Sequence, residues 1–329
     1  MTRLVLIHGR DLDGHLPATI EKHWLTALGA GLTAAGSRLR VRDDDADLVF
    51  YGDMLAHLVE DHDATDPPVT VEVRSVDGAE LGRRAVPDLP VDELRFVLDV
   101  VRETLSGAGV TPPEEPHAAA AAPTARVAAW ADGWVSDWAD GLREALAGVL
   151  ATLDRLPGLS SAAVLLFARD VWTYLHDDGV RAAVDEGVAA ALPRDEPAVV
   201  VAHSLGAVVA WSVLAERAAD LEVPLLLTMG APLPVRAVRE ALLDQGPLTF
   251  PPGVDRWVNA RDPRDLLALH DITPETFPMP AGSPPVEALE VVNRAPGSHA
   301  AVSLDSDGTP TGYLATPEVA GRIARALTA

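Results

Sequence analysis

The segment Val199-Val200-Val201-Ala202-His203-Ser204-Leu205-Gly206-Ala207 limits what this chain can fold into more than any other. A β-branched run without polar alternation reads as a strand covered on both faces, as in the middle of a parallel sheet. It passes directly into a small-residue turn and then an apolar helix. So sharp a strand-to-helix turn forces the serine into a strained backbone conformation and brings neighbouring backbones close. The positions two before and two after it must therefore be small, and Ala202 and Gly206 are. The helix aims its first amides at the serine, where the Leu205 N–H can bind a developing oxyanion. Taken alone, the pentapeptide also fits an ordinary β-to-α turn.

The rest of the chain supplies the sheet that such a strand needs. Arg3 to Ile7 reads as a strand ending in His8-Gly9, followed by a helical pattern from Pro17 to Ala35 and strand character at Leu48 to Tyr51. That is a βαβ unit. Val69 to Val73 and Ala79 to Val86 flank Asp77-Gly78, a hairpin signal. Helical periodicity follows at Asp92 to Leu105, then an Ala/Pro/Glu stretch at 111–124 that reads as a linker. Val127 to Leu156 is a helix in which Trp130, Trp134 and Trp138 recur on one face, and Ser161 to Leu175 is another. From Val180 the alternation resumes. It gives a helix to Ala191, strands at Ala198 to Ala202, Leu225 to Met229, Arg256 to Asn259 and Leu289 to Val292, a helix from Gly206, and a closing helix at Pro317 to Leu327. The expected class is α/β, a mostly parallel doubly wound sheet in one domain spanning 1–329, with 61–176 as a helical cap insertion.

Ala202 to Gly206 resembles the nucleophile elbow of α/β-hydrolase serine esterases and lipases, with alanine in place of the usual first glycine. His8-Gly9 resembles the His-Gly turn that supplies the other half of the oxyanion hole in that family. The resemblance implies the Arg10 backbone N–H as second donor beside Leu205, with His8 bracing the turn. Thr228 to Leu233 resembles the Gly-x-Pro-Leu turn after the next strand in some lipase-like members, a structural feature. The likeness covers residues 1–51 and about 180–329; no motif marks the segment between.

A serine hydroxyl is a weak nucleophile and needs a base, itself oriented by a third group. The family order is serine, acid, histidine. His299 follows the elbow and the next acid-bearing turn, in the loop Ala295-Pro296-Gly297-Ser298-His299, and is taken as the base. His270 lies too near the acid turn to fold back, and His203 faces away from the hydroxyl. Two aspartates can serve as the acid, Asp262 and Asp265. Asp265 is preferred because Leu266 and Leu267 return the chain to the core, which leaves Asp262 as a turn former before Pro263.

The expectation is therefore a serine hydrolase acting on a neutral ester or related acyl compound through Ser204, His299 and Asp265, without a cofactor. An acyltransferase using the same residues and a non-catalytic hydrolase-fold binding protein are the alternatives. The tryptophan helix either packs the insertion onto the core or serves as a lid over an acyl pocket. A formal charge of -23 repels phosphate backbones and anionic lipid surfaces and argues against a nucleic-acid partner, and with no cysteine there is no thiolate metal site or thiol nucleophile. Asp11, Asp13 and His15, like Asp61, His62 and Asp63, are read as solvated loops rather than metal ligands. No phosphate-loop or dinucleotide fingerprint is present. No apolar run reaches membrane-spanning length, and Leu4 to Ile7 is too short for a signal-peptide core, so a cytoplasmic protein is expected. Oligomeric state is not readable from the sequence.

Overall fold

The computed structural model describes residues 2–9, 17–49, 51, 69–74, 80–86, 88–113, 132–156, 160–217 and 220–329. The chain divides into two compact units. One joins residues 1–56 to 173–329, and the other is the intervening 57–172, where the sequence suggested an insertion at 61–176.

The first unit is built on a six-stranded sheet, all parallel, in the order β2-β1-β5-β6-β7-β8. Its strands are β1 (Arg3–Ile7), β2 (Ala46–Val49), β5 (Ala198–His203), β6 (Leu225–Met229), β7 (Trp257–Arg261) and β8 (Glu287–Glu290). Every residue of β5 and β6 is buried, which is why their sequences are apolar without alternation. On one face, α1 (Pro17–Ala34) and α8 (Pro317–Leu327) pack Trp24, Leu28, Leu32, Val319 and Ile323 against Leu4, Leu6, Val199, Val201 and Leu227. The opposite face is covered by α6 (Leu205–Arg217), with α5 (Asp178–Ala191) packed on it.

Several elements differ from the sequence expectation: β2 is Ala46–Val49 rather than 48–51, and two others differ for physical reasons. The last strand is Glu287–Glu290 rather than 289–292, because Val292 is exposed and only the Val291 N–H, donating to Arg261 O at 3.0 Å, continues the pairing. This is an edge strand, and its alternating exposure and the Glu287 pairs with Arg256 and Arg322 fit that position. A helix the sequence reading did not include, α7 (Arg236–Gln245), buries Ala237, Val238, Ala241 and Leu242 on one face.

The second unit holds the hairpin β3 (Val69–Arg74) and β4 (Glu80–Val86), paired antiparallel, and the helices α2 (Val91–Gly107) and α3 (Asp132–Leu153). The α4 helix (Ser161–His176) begins in it. Leu94, Val97, Leu98, Val101 and Leu105 form the buried stripe of α2, and Leu142, Leu146, Val149 and Leu153 that of α3. Arg169 on α4 donates to Glu93 on α2 at 2.9 Å, a buried pair. The Asp77-Gly78 turn and residues 114–124 of the expected linker lie outside the described residues. Among the described residues, no helix is long and apolar enough to cross a membrane.

Candidate active site

From β1 the chain moves outward to β2, and it later returns to the other side of β1 as β5. The C-terminal ends of β1 and β5 thus flank the point where the winding reverses, the place at which open parallel sheets form a crevice. His8-Gly9 leaves one of these ends and Ser204 the other. Ser204 has φ 54, a left-handed conformation uncommon for a residue with a β-carbon, and its N–H donates to Met229 O at 3.0 Å. The sharp turn leaves no room around it. A methyl group on Gly9 would stand 2.7 Å from Ser204 Cβ; one on Gly206 would stand 2.7 Å from the Ile7 carbonyl oxygen and closer still to that of His8.

The loops after β7 and β8 bring the other two groups to the serine. His299 Nε2 lies 3.0 Å from Ser204 Oγ, and His299 Nδ1 lies 2.9 and 3.0 Å from the two oxygens of Asp265. An ionised carboxylate can only accept, so the imidazole proton sits on Nδ1 and the Nε2 lone pair faces the hydroxyl. This is the tautomer that can take the serine proton. Leu205 opens α6, where its amide has no intrahelical acceptor. Arg10, expected to give the second oxyanion donor, lies outside the described residues.

Asp262, the alternative acid, is engaged elsewhere. It is 1% exposed and accepts from Arg264 N at 2.8 Å, Arg264 Nε at 3.0 Å, the second Arg264 nitrogen at 2.6 Å and Asn293 N at 2.7 Å. Burial works to raise its pKa, but these bonds outweigh it and hold the carboxyl below the usual range. Its work extends beyond a turn, because Asn293 brackets the histidine loop. Asn293 Oδ1 accepts from Ala295 N at 2.9 Å, and Nδ2 donates to Ala300 O at 3.0 Å.

Two further histidines line the site as neutral groups. His8 accepts from Tyr51 N at 3.2 Å through Nε2, so its Nδ1 is the donor to Gly9 O, while the Tyr51 hydroxyl holds His8 O. Burial pushes its pKa down to about 4. His203 Nε2 donates to the backbone oxygen of His299 at 2.7 Å, and burial, aided by the neighbouring His299, lowers its pKa to about 3. The sequence reading had His203 facing elsewhere; its ring ties the end of β5 to the loop that carries His299.

The tryptophans divide. Trp130 and the side chain of Trp134 lie outside the described residues, as do the acidic clusters at 11–15 and 61–63. Trp138 is half-buried within its own unit, 6.0 Å from the Arg95 guanidinium on α2. Among the described residues, no group of three or more histidine, aspartate or glutamate side chains is placed to hold a metal ion.

No family model, curated protein or solved structure matches this chain. The site therefore rests on its own geometry.

That geometry makes a stability prediction. Gly206→Ala forces a methyl group against the carbonyl oxygens of Ile7 and His8 at the end of β1 and should cost about 1–3 kcal/mol or more. Gly29→Ala on α1, where nothing lies within 4 Å, should stabilise by roughly 0.5–1 kcal/mol through helix propensity. Urea unfolding of both variants checks the opposite signs.

Proposed function

We propose that this chain is a serine hydrolase of the α/β-hydrolase kind, acting in the cytoplasm on a carboxylic ester or related acyl compound. The observation that carries the proposal is His299 lying between Ser204 Oγ at 3.0 Å and Asp265 at 2.9 Å, at the ends of three parallel strands. As Ser204 Oγ attacks the acyl carbon, its proton passes to His299 Nε2, and the imidazolium is stabilised by Asp265. The carbonyl oxygen, now negative, takes a hydrogen bond from the Leu205 amide, with the Arg10 amide as the proposed second donor. His299 then returns its proton to the leaving alcohol, and the acyl group stays on Ser204. Water attacks by the same route in reverse, giving the acid and the free serine. No step calls for a cofactor.

A fluorophosphonate probe tests the nucleophile and a panel of p-nitrophenyl esters tests turnover; added alcohols show whether the acyl group goes to water or to another acceptor. Failure to label any serine would remove the proposal.

The pH dependence carries a sign. Only a neutral imidazole accepts the serine proton, so kcat/KM should fall as pH falls through the protonation of one group. With His8 at about 4 and His203 at about 3, both remain neutral through that fall, which leaves His299 as its source. A profile that stays flat down to about pH 4.5 would contradict this.

A further inference from the structure

Asp265 has no exposed side-chain surface, and a carboxylate without water must find its hydrogen bonds in the protein. One oxygen accepts from Leu267 N at 3.0 Å. The other is 2.7 Å from the hydroxyl of Tyr313, a fully buried residue in the short turn Tyr313–Ala315 that precedes α8. The direction of this bond is fixed. Tyr313 OH accepts from Asp262 N at 3.1 Å, which leaves its single proton for Asp265, and an ionised carboxylate has none to give. Burial and the adjacent Asp265 push the phenol well above its ordinary pKa, so it remains a donor at every working pH.

We infer that Tyr313 is a positioning residue of the site, holding the Asp265 carboxylate in the plane that meets His299 Nδ1 and setting the basicity of the imidazole. The inference rests on the hydrolase reading for its catalytic meaning, though its electrostatic consequence does not need turnover. A hydrogen bond from Tyr313 spreads the charge of Asp265 and moderates its hold on a proton at His299. The rotation of the carboxylate is stopped at both oxygens, one by a backbone amide and one by this hydroxyl. The backbone that carries the ring is held as well: Tyr313 N donates to Ala300 O at 3.1 Å, next to His299 in the chain, and its carbonyl accepts from Thr316 Oγ1 at 2.7 Å. The loop after β7, the loop carrying His299 and the turn before α8 are therefore joined through one residue, the first by its hydroxyl and the second by its backbone.

Tyr313→Phe keeps the ring and removes the hydroxyl. The charged and titratable groups around this cluster keep their identity in the variant: His203 with His8 beyond it, Asp262 with Arg264, and Arg261 with Asp271. NMR titration of His299, assigned against His299→Gln, should show its midpoint moving to higher pH in Tyr313→Phe, since the carboxylate then holds the imidazolium more tightly. Ester turnover should fall about 10- to 100-fold, the effect of a lost hydrogen bond to a buried charge, with its acid limb moving the same way. Replacing Tyr313 by a difluorotyrosine, a stronger donor that keeps the packing, should move the midpoint to lower pH, and it serves if the phenylalanine variant does not fold. A His299 midpoint that stays put in both variants would overturn the inference, as would reduced turnover with an unmoved acid limb, which marks a packing role. Absence of ester turnover in the parent protein would count against the hydrolase reading, while the titration still decides the role of Tyr313.

Discussion

Ser204→Ala should lower kcat for ester hydrolysis about a million-fold and abolish fluorophosphonate labelling while the protein remains folded. The expected loss is large because, in the proposed mechanism, Ser204 and His299 act as one unit, and without the hydroxyl His299 has no proton to take. The fold should survive, since the Ser204 N–H bond to Met229 O is a backbone bond and persists. Alanine at φ 54 retains the left-handed strain that serine already carries. Circular dichroism and the melting temperature check the fold, and mass spectrometry of the labelled parent checks that the adduct is on Ser204. An adduct on another serine, or label retained by the variant, would move the nucleophile elsewhere.

The second large effect belongs to the acid. Asp265→Asn should reduce kcat about 10³- to 10⁴-fold, because an amide nitrogen facing Nδ1 favours the tautomer with its proton on Nε2, where it blocks the serine. Asp262→Asn should lower kcat less than about tenfold, since the Asp262 oxygens are engaged by Arg264 and the Asn293 N–H. It should instead lower the melting temperature, for Asp262 holds Asn293 and thereby the base loop. Single-turnover rates and thermal melts on the two variants separate chemistry from support, and a reversed ranking in kcat would exchange their roles.

The residues that the fold brings together around Ser204 were legible because their signals are local. Strand, turn and helix around Ser204 are written in nine consecutive residues, and Asp265 and His299 each follow a strand end. What escaped depends on partners distant in sequence. Tyr313 is 48 residues from Asp265, and Asn293 is 31 from Asp262, and nothing in their neighbourhoods marks them. His203 was set aside because its neighbour is the serine, yet its ring reaches the carbonyl of a residue 96 positions on. The helix α7 had a readable signal in the spacing of Ala237, Val238, Ala241 and Leu242, hidden by its mostly charged and polar remainder. At β8 the valines 291 and 292 drew the strand two residues too far, since β propensity describes a half-buried pleat and Val292 is in solvent.

The distance along the chain between nucleophile and base has a consequence for synthesis. Because His299 stands 95 positions after Ser204, the serine leaves the ribosome well ahead of the imidazole proposed to activate it. Contacts of such long range close late, after the loop entropy has been overcome. Under the proposed function, a nascent chain would carry the Ser204 hydroxyl without its base, and acyl chemistry would begin only once the loop bearing His299 has docked beside it.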